Sequence, residues 1–334
     1  MNNRDIMVSI CCLVYNHEQY LRKCLDGFIM QKTNFKFEVL IHDDASTDHS
    51  ADIIREYEKK YPDIIKPIYQ KENQYSKGVK INWKYQYPRV KGKYVALCEG
   101  DDYWCDENKL QMQFDIMEGD KNIALCVHKV RLIKENGEYT DSFYPRKKVN
   151  EGCIIQKDMM DIFLEHRMYP FQTSSYLAKA EYLIDLKNQA PDFMKISPVG
   201  DTPLMLYLTA KGSIFYLDKE CSRYRMNSVS SWGKINMIRN DTRVIVLKQA
   251  IASYIMYDVY MKGKYSELLS EMIEKDIFLI HQLNANFKKI VSSKFKKQFQ
   301  QLPLKERMYY YIAAYTPWLE RVYRRFKTGG RKQD

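Results

Sequence analysis

The peptide Tyr94-Val-Ala-Leu-Cys98 runs directly into Glu99-Gly-Asp-Asp-Tyr-Trp104. Five apolar residues in a row are typical of a buried strand in a parallel sheet. The three carboxylates that follow would stand where that strand ends. Ligands of open α/β sheets bind beyond the carboxyl ends of the strands. This peptide therefore predicts an α/β fold with its functional groups at one sheet edge.

Two apolar runs nearer the N-terminus end in the same way. Residues 8–14 lead to Tyr15, and residues 37–41 lead through a short polar stretch to Asp44. Apolar residues at helical spacing follow each run. This alternation predicts a mostly parallel, Rossmann-like sheet flanked by helices, with right-handed crossovers. The three polar clusters should then lie close together.

Beyond this region the pattern changes twice. A mixed stretch follows, with short strands predicted near 124–133, 174–178 and 214–217. From about residue 236 the pattern is helical, with i, i+3, i+4 apolar spacing over 242–261, 265–283 and 304–326. The sequence predicts a helical C-terminal region over 236–334.

Composition and cysteine usage narrow the class of protein. Hydrophobic residues make up 45% of the 334 residues, which is enough for a sizeable core. The eight cysteines form no CxxC pair, which argues against structural zinc and favours a reducing compartment. No secretory signal and no run of 18 apolar residues is visible. We expect a cytoplasmic protein, or one peripheral to the inner face of the cell membrane.

The positive charge is concentrated at one end. Residues 286–334 hold 13 Lys or Arg and 3 Asp or Glu, a net of +10 within a total of +11. A protein that coats nucleic acid would more often spread basic residues over its main domain, so we expect no nucleic-acid partner. The basic end fits a membrane surface, an anionic partner or a solvated tail.

The acidic segment suits a hard divalent cation. Mg²⁺ and Mn²⁺ take oxygen ligands, and Glu99, Asp101 and Asp102 supply three carboxylates within four residues. The alternative is an ordinary polar turn. Asp44 could accept a hydrogen bond from a nucleotide base, or could belong to the polar start of a helix.

Three peptides, taken in order, resemble glycosyltransferase family 2. They are Val8-Ser-Ile-Cys-Cys-Leu-Val-Tyr-Asn, Phe37-Glu-Val-Leu-Ile-His-Asp-Asp-Ala-Ser-Thr-Asp and Gly92-Lys-Tyr-Val-Ala-Leu-Cys-Glu-Gly-Asp-Asp-Tyr-Trp. The resemblance implies the GT-A fold, a nucleotide-sugar donor (commonly a UDP-sugar), Mn²⁺ or Mg²⁺, and inversion at the anomeric carbon. It implies a catalytic domain over 1–235, with a donor half to about 125 and an acceptor half to about 235.

Individual positions follow from the same resemblance. Tyr15 and Asp44 match positions that hold the nucleoside base. Asp101 matches a ribose or metal contact, and Asp102 a metal ligand. Glu99 stands where many members have the first Asp of their DxD-type motif. Leu13 replaces a Pro that is usual in the first peptide, which should not alter the chemistry.

The acceptor half offers a general base. Inverting transfer needs one, and Pro198-Val-Gly-Asp201-Thr-Pro203 resembles the family segment that carries it. Asp201 is the predicted base, although a helix-capping role is compatible with the same position. Arg225 is the predicted diphosphate ligand, with a structural ion pair as the alternative. Many members carry a His soon after this Arg, whereas Asn227 and Ser228 occupy that region here.

The sequence predicts less specific roles for two further groups of residues. Residues 171–176 could line the acceptor side or form an ordinary core strand. His17, His42 and His128 are interpreted as structural.

The leading hypothesis is an inverting glycosyltransferase of bacterial surface polysaccharide or glycoconjugate synthesis. Its acceptor would be a glycan, a lipid-linked glycan or a glycoprotein. A nucleotidyltransferase that makes nucleotide-sugars is an alternative, but it would need a Gly-rich loop after the first strand. A scaffold subunit without activity is another, and it would be expected to lack the acidic cluster or the base.

The C-terminal tail predicts an amphipathic helix. Its apolar side holds Leu304, Met308, Tyr311, Ile312, Tyr315, Trp318, Leu319, Val322 and Phe326. Its flanks hold Lys305, Arg307, Arg321, Arg324, Arg325 and Lys327. A break is predicted at Thr316-Pro317, with Thr316 as a cap. This tail could bind an anionic membrane surface, pack on the helical region or form a homo-oligomer contact.

Overall fold

The computed structural model describes residues 6–166, 170–226, 239–316 and 318. The chain divides into two compact units, Met1–Ile235 and Asn236–Asp334. The first unit contains the sheet and the second is helical among its described residues. Each unit is described by itself below.

The described residues form ten strands. In chain order they are β1 (Ile6–Val14), β2 (Lys36–Asp43), β3 (Ile65–Tyr69), β4 (Tyr94–Leu97), β5 (Tyr103–Trp104), β6 (Ile123–Ile133), β7 (Tyr139–Tyr144), β8 (Gly152–Ile154), β9 (Leu177–Lys179) and β10 (Ser213–Arg225).

Helices connect these strands and make up the second unit. They are α1 (Glu18–Ile29), α2 (Ser50–Lys60), α3 (Lys109–Gly119), α4 (Gln156–Glu165), α5 (Leu186–Gln189), α6 (Asp192–Ile196), α7 (Asp201–Lys211), α8 (Asn240–Tyr260), α9 (Ser266–Leu283), α10 (Phe287–Ile290), α11 (Lys296–Gln300) and α12 (Leu304–Tyr315).

All ten strands belong to one sheet. Its order is β3-β2-β1-β4-β9-β6-β10-β5, with β7 paired to β6 and β8 paired to β10. The longer ladders, β1 with β2 and β4, β2 with β3, and β6 with β10, are parallel. The antiparallel ladders join only two or three residue pairs each among the described residues. This confirms the predicted α/β fold with a mostly parallel sheet and a helical C-terminal region.

The short strand β9 reverses direction inside this sheet. It pairs antiparallel with β4, with Ala96 opposite Leu177. The backbone N–H of Leu97 donates to the carbonyl of Tyr176 at 3.3 Å. The residues that precede β9 therefore lie beside the carboxyl end of β4, where the acidic segment begins.

The core of the first unit lies on both faces of the central strands. Val39 and Ile41 of β2 face one side of the sheet and Leu40 between them faces the other, and all three are buried. In β4, Ala96 and Val95 are buried on the two sides in the same way. Apolar runs without polar alternation are what strands covered on both faces require. Cys11, Cys12, Cys98 and Cys126 are also buried, and all eight cysteines are free. A buried free cysteine packs as a small hydrophobic residue.

Several elements differ from the sequence prediction. The strand predicted near 214–217 extends over all of β10, because its pairing with β6 continues past register shifts between Leu217 and Ser222. Residues 74–88 contain short 3₁₀ and π turns. The two-residue strand β5 was missed, since its sequence carries no alternation to detect.

The helical unit has a small core of its own. Phe278 of α9 packs with Ile290, Phe295 and Phe299. Helix α12 ends at Tyr315 and Thr316 follows as its C-cap. The remainder of the predicted helix, residues 317 and 319–326, lies outside the described residues. No helix in the described part of the chain is long and apolar enough to span a bilayer.

Candidate active site

The acidic segment after β4 is held against the end of β1. The backbone N–H of Gly100 donates to the carbonyl of Leu13 at 2.9 Å, and that of Asp102 donates to the carbonyl of Glu99 at 3.1 Å. A Cβ at Gly100 would lie 2.8 Å from a ring nitrogen of His17 and 3.0 Å from a methyl of Val14. Only glycine permits this close approach without displacing its neighbours.

Asp102 is buried and accepts two hydrogen bonds. Its Oδ1 accepts from the backbone N–H of Arg225 at 2.9 Å, and its Oδ2 accepts from Nε2 of Gln172 at 3.0 Å. Only 2% of the residue is exposed. Desolvation, followed by the charge of Asp101, raises the pKa of Asp102 well above its usual range. Three distant parts of the chain therefore converge on one carboxylate.

Gln172 belongs to a buried polar network that the sequence did not reveal. Its Oε1 accepts from the backbone N–H of Ser174 at 2.6 Å. The hydroxyls of Ser174 and Ser222 lie 2.9 Å apart, and Trp104 Nε1 donates to the carbonyl of Ser174 at 2.9 Å. The segment 171–176 had been considered only as an acceptor lining or a core strand. The signal available was a Gln and two Ser residues beside aromatic residues that prefer burial.

Glu99, Asp101 and Asp201 share the electrostatic environment of Asp102. Desolvation by surrounding protein atoms, followed by the charges of Asp101 and Asp201, raises the pKa of Glu99 to about 8. Glu99 is nevertheless exposed to solvent. Oδ2 of Asp101 lies 4.0 Å from Nε2 of His17. The structure thus brings the acidic segment and the predicted base into one region with excess negative charge.

Asp201 is the first residue of α7. Its Oδ1 accepts from the backbone N–H of Thr202 at 2.8 Å, and the N-cap position belongs to Gly200. The capping role considered for Asp201 is therefore wrong in detail. A carboxylate at a helix N-terminus interacts favourably with the helix dipole. Its partial exposure leaves it accessible to a second reactant.

Arg225 occupies a structural position. Its guanidinium donates from Nε to the carbonyl of Asp101 at 3.1 Å and from Nη1 to the carbonyl of Glu135 at 2.8 Å. It also stacks over the ring of Tyr20, 4.2 Å from the centroid, and the residue is 6% exposed. This placement argues against the predicted diphosphate contact, because the guanidinium group already donates hydrogen bonds to the backbone of two loops. Asn227 and Ser228 lie outside the described residues.

The turns after β1 and β2 form the nucleotide side of the predicted site. Tyr15 is 37% exposed, and the next residue, Asn16, accepts from the backbone N–H of Thr47 at 2.8 Å. Asp44 is buried, and its two oxygens accept from the backbone N–H groups of Gln74 at 2.8 Å and Tyr75 at 2.9 Å.

The helix-start role considered for Asp44 is wrong. Helix α2 begins at Ser50, and Asp48 accepts the hydrogen bond from its first N–H at 2.9 Å. Asp44 instead fixes the loop that begins at Gln74, which borders the exposed ring of Tyr75.

The carboxylates of this site are chemically suited to bind a divalent cation. By themselves they do not form a complete coordination shell. Within the ranges that the structure describes, no three His, Cys, Asp or Glu side chains surround one point. Asp102 uses two of its roughly four lone-pair sites, so it can still bind a cation. A bound cation would offset both the desolvation and the mutual repulsion that raise the pKa of Glu99 and Asp102. Such a site needs ligand phosphate to complete the coordination.

Sequence comparison identifies relatives of this chain. The family described as Glycosyl transferase family 2 matches residues 9–175. The Mycobacterium tuberculosis protein Rv1520 is 44% identical over 232 residues, which are 67% of this chain and 60% of that protein. A poly(ribitol-phosphate) beta-glucosyltransferase of Bacillus spizizenii is 32% identical over 205 residues, 61% of this chain and 30% of that protein. The chain thus spans less than two thirds of these relatives.

Solved structures share the fold. Staphylococcus aureus TarS 1–349 in complex with UDP-GlcNAc has a TM-score of 0.53 at 15% identity, over 92% of this chain and 87% of that one. The Pyrobaculum calidifontis mannosyltransferase PcManGT, in complex with GDP-Man and Mn²⁺, has a TM-score of 0.53 at 14% identity, over 94% and 82%. These likenesses confirm the predicted GT-A fold.

Proposed function

Because this chain belongs to glycosyltransferase family 2, we propose that it transfers a sugar from a nucleotide-sugar to an acceptor hydroxyl with inversion at the anomeric carbon. A UDP-sugar is the first candidate for the donor. TarS, which shares the fold, was solved with UDP-GlcNAc. The acceptor would be a glycan, a lipid-linked glycan or a glycoprotein.

The observation that carries this proposal is the grouping of four carboxylates. Glu99, Asp101 and Asp102 follow β4, and Asp201 begins α7, about a hundred residues later in the chain. Bringing carboxylates together costs free energy because they repel one another, and such clusters are typical of functional sites where a ligand offsets that cost. A cation-bound diphosphate would interact with the carboxylates that follow β4, and an acceptor hydroxyl would interact with Asp201.

The carboxylates Glu99, Asp101 and Asp102 would hold Mn²⁺ or Mg²⁺ together with donor phosphate. When bound, such an ion neutralises the charge that grows on the diphosphate as the glycosidic bond breaks. Gln172 and the backbone of Arg225 would keep Asp102 in place. Asp101 would reach the metal or the donor ribose.

Asp201 would act as the general base. The acceptor oxygen forms a bond to the anomeric carbon while the bond from that carbon to the diphosphate oxygen breaks on the opposite face. The acceptor proton passes to the Asp201 carboxylate. Tyr15 would contact the nucleoside base. Asp44 would support base binding through the loop at Gln74 and Tyr75. Arg225 would not contact the donor directly.

Surface polysaccharide or glycoconjugate synthesis is the proposed setting. The Bacillus spizizenii relative is described as a poly(ribitol-phosphate) beta-glucosyltransferase, and that description supports a polymeric acceptor for this chain. No observation favours the nucleotidyltransferase alternative, because residues 13–18 contain no glycine to cradle a triphosphate.

A donor panel tests the proposal. The purified chain is incubated with UDP-, GDP- and dTDP-sugars and Mn²⁺ or Mg²⁺, and release of nucleoside diphosphate is measured with and without EDTA. We expect slow hydrolysis of one donor that EDTA abolishes and that Asp102→Ala reduces. If EDTA leaves nucleoside diphosphate release unchanged, the proposed metal dependence is refuted, but the proposed sugar transfer is not. If no nucleoside diphosphate is released from any donor, with or without candidate glycans, the result would favour the alternative of a scaffold subunit without activity.

A further inference from the structure

An apolar stripe runs along α12, and the part of the chain that the structure describes leaves it uncovered. Four side chains at helical spacing are largely exposed: Leu304 by 64%, Met308 by 56%, Tyr311 by 49% and Tyr315 by 68%. Ile312 beside them is 43% exposed, and Trp318 beyond the helix is 63% exposed. The opposite side of α12 buries Ala313 and Ala314. The helix thus packs its small residues and presents its large ones to solvent, the reverse of ordinary amphipathic packing.

A groove adjoins this stripe. It has a volume of about 480 Å³ and lies where Met308 and Tyr311 of α12 meet Ser292, Ser293 and Lys296. Arg307 also lines it, and among the described residues its buried Nε has no hydrogen-bond acceptor. The groove therefore combines two cationic side chains and two hydroxyls with an apolar floor. This is the chemistry of an anionic, amphiphilic ligand.

Net charge decides which partner suits the stripe. The spacing of Leu304, Met308, Tyr311 and Tyr315 would also suit a second helix. A second copy of this chain would, however, bring another segment of net +10 against the first. Like charges at that density oppose self-association, whereas an anionic surface is attracted by them. Tyr311 and Tyr315 within the stripe and Trp318 beyond it are of the residue types that favour a membrane–water interface.

We propose that this α12 surface, comprising the stripe and its adjoining groove, docks on an anionic lipid bilayer. The stripe enters the interface, and Lys296 and Arg307 receive lipid phosphate at the groove. Docking would hold the chain near lipid-linked acceptors. It does not rest on the transferase activity, because a nucleotide-sugar takes no part in it.

Vesicle co-sedimentation tests the docking. Full-length protein is spun with vesicles of phosphatidylcholine alone or mixed with phosphatidylglycerol, at low and high salt. We expect binding to the mixed vesicles at low salt only. Lys296→Gln with Arg307→Gln should weaken it about twenty-fivefold, since each basic residue near an anionic surface contributes roughly fivefold. Met308→Glu with Tyr311→Glu should reduce binding at least as strongly.

A matched control separates the stripe from exposed apolar residues in general. Val259 of α8 is 74% exposed, and Val259→Glu should leave vesicle binding unchanged. Circular dichroism checks that each variant folds, and hydrolysis of donor in free solution should be unaltered. Equal sedimentation of wild type and both α12 variants would overturn the proposal. So would a dimer in light scattering that Met308→Glu with Tyr311→Glu dissociates while vesicle binding persists.

Discussion

Nε2 of Gln172 donates a hydrogen bond of 3.0 Å to Oδ2 of Asp102, across 70 positions of sequence. Both residues are almost fully buried. The contact joins the acidic segment, which follows β4, to the residues that precede β9. A carboxylate buried this deeply depends on its donors, because an unpaired charge there would be costly.

We expect Gln172→Met to lower turnover at least tenfold and to destabilise the fold by about 1–3 kcal/mol, since one oxygen of a buried carboxylate loses its donor. The role is one of positioning, so donor turnover should fall more than the fraction folded. Urea unfolding and initial rates on the same preparation measure the two effects.

Gln113 provides the control for that variant. It is also buried, but its Nε2 donates to the backbone carbonyls of Cys126 and Ser175 and not to the acidic segment. Gln113→Met should lose stability without losing turnover per folded molecule. Equal kinetic losses in both variants would mean that Gln172 contributes packing alone.

Asp201→Asn should abolish transfer while donor binding stays within about threefold of wild type, because a general base acts on the acceptor proton. Calorimetric titration of the donor and single-turnover transfer measure the two quantities. A fall in donor affinity that matches the fall in rate would make Asp201 a binding residue.

Asp44→Ala should raise the donor KM about tenfold with little change in kcat. The loop at Gln74 and Tyr75 loses the carboxylate that holds its two N–H groups. Asp48→Ala is the matched variant, since Asp48 also accepts two backbone N–H groups, from Glu18 and Ser50. Asp48→Ala should affect stability more than KM. An unaltered KM in Asp44→Ala would remove Asp44 from the donor site.

Lys109→Met should show that burying Lys109 lowers the free energy of unfolding of the wild type by an amount that depends on pH. Lys109 is fully buried, its Nζ lies 3.7 Å from the ring centroid of Trp104, and no acceptor for it exists among the described residues. Desolvation lowers its pKa from 10.5 to about 7. Between these values the unfolded chain binds the proton that the folded chain has lost. Wild-type stability attributable to this group therefore rises with pH across that window.

The variant lacks this titration. We expect Lys109→Met to be more stable than wild type near pH 7, with a difference that shrinks by up to about 1.4 kcal/mol per pH unit towards pH 10. Urea unfolding of both proteins at several pH values tests it. A difference that is independent of pH would show that Lys109 keeps its proton in the folded state.

The strand–helix alternation and the acidic segment were readable from sequence because both are local. Apolar runs and the residues that end them fix the central strands and the edge at which Glu99, Asp101 and Asp102 lie. Arg225 shows the limit of the same method. Its residue type suits a phosphate, yet backbone carbonyls from two loops surround its guanidinium. Only the three-dimensional path of those loops reveals that competition.

Gln172 was missed for a related reason. A Gln beside small polar residues has no periodic signature, and its partner is far away in sequence. Strand β9, which brings it to the site, is three residues long and antiparallel to its neighbours. Pairing of that kind is decided by the whole sheet and not by local propensity.

The reversal at β9 also bears on how such a chain can diverge. β4 and β9 are paired directly, so their relative position does not depend on the residues that connect β6 to β9. Insertions or deletions in the exposed loops of that connection could change the surface of the first unit while Asp102 and Gln172 stay 3.0 Å apart. Evolution, or an engineer grafting loops, can therefore alter that surface without displacing the carboxylate of Asp102.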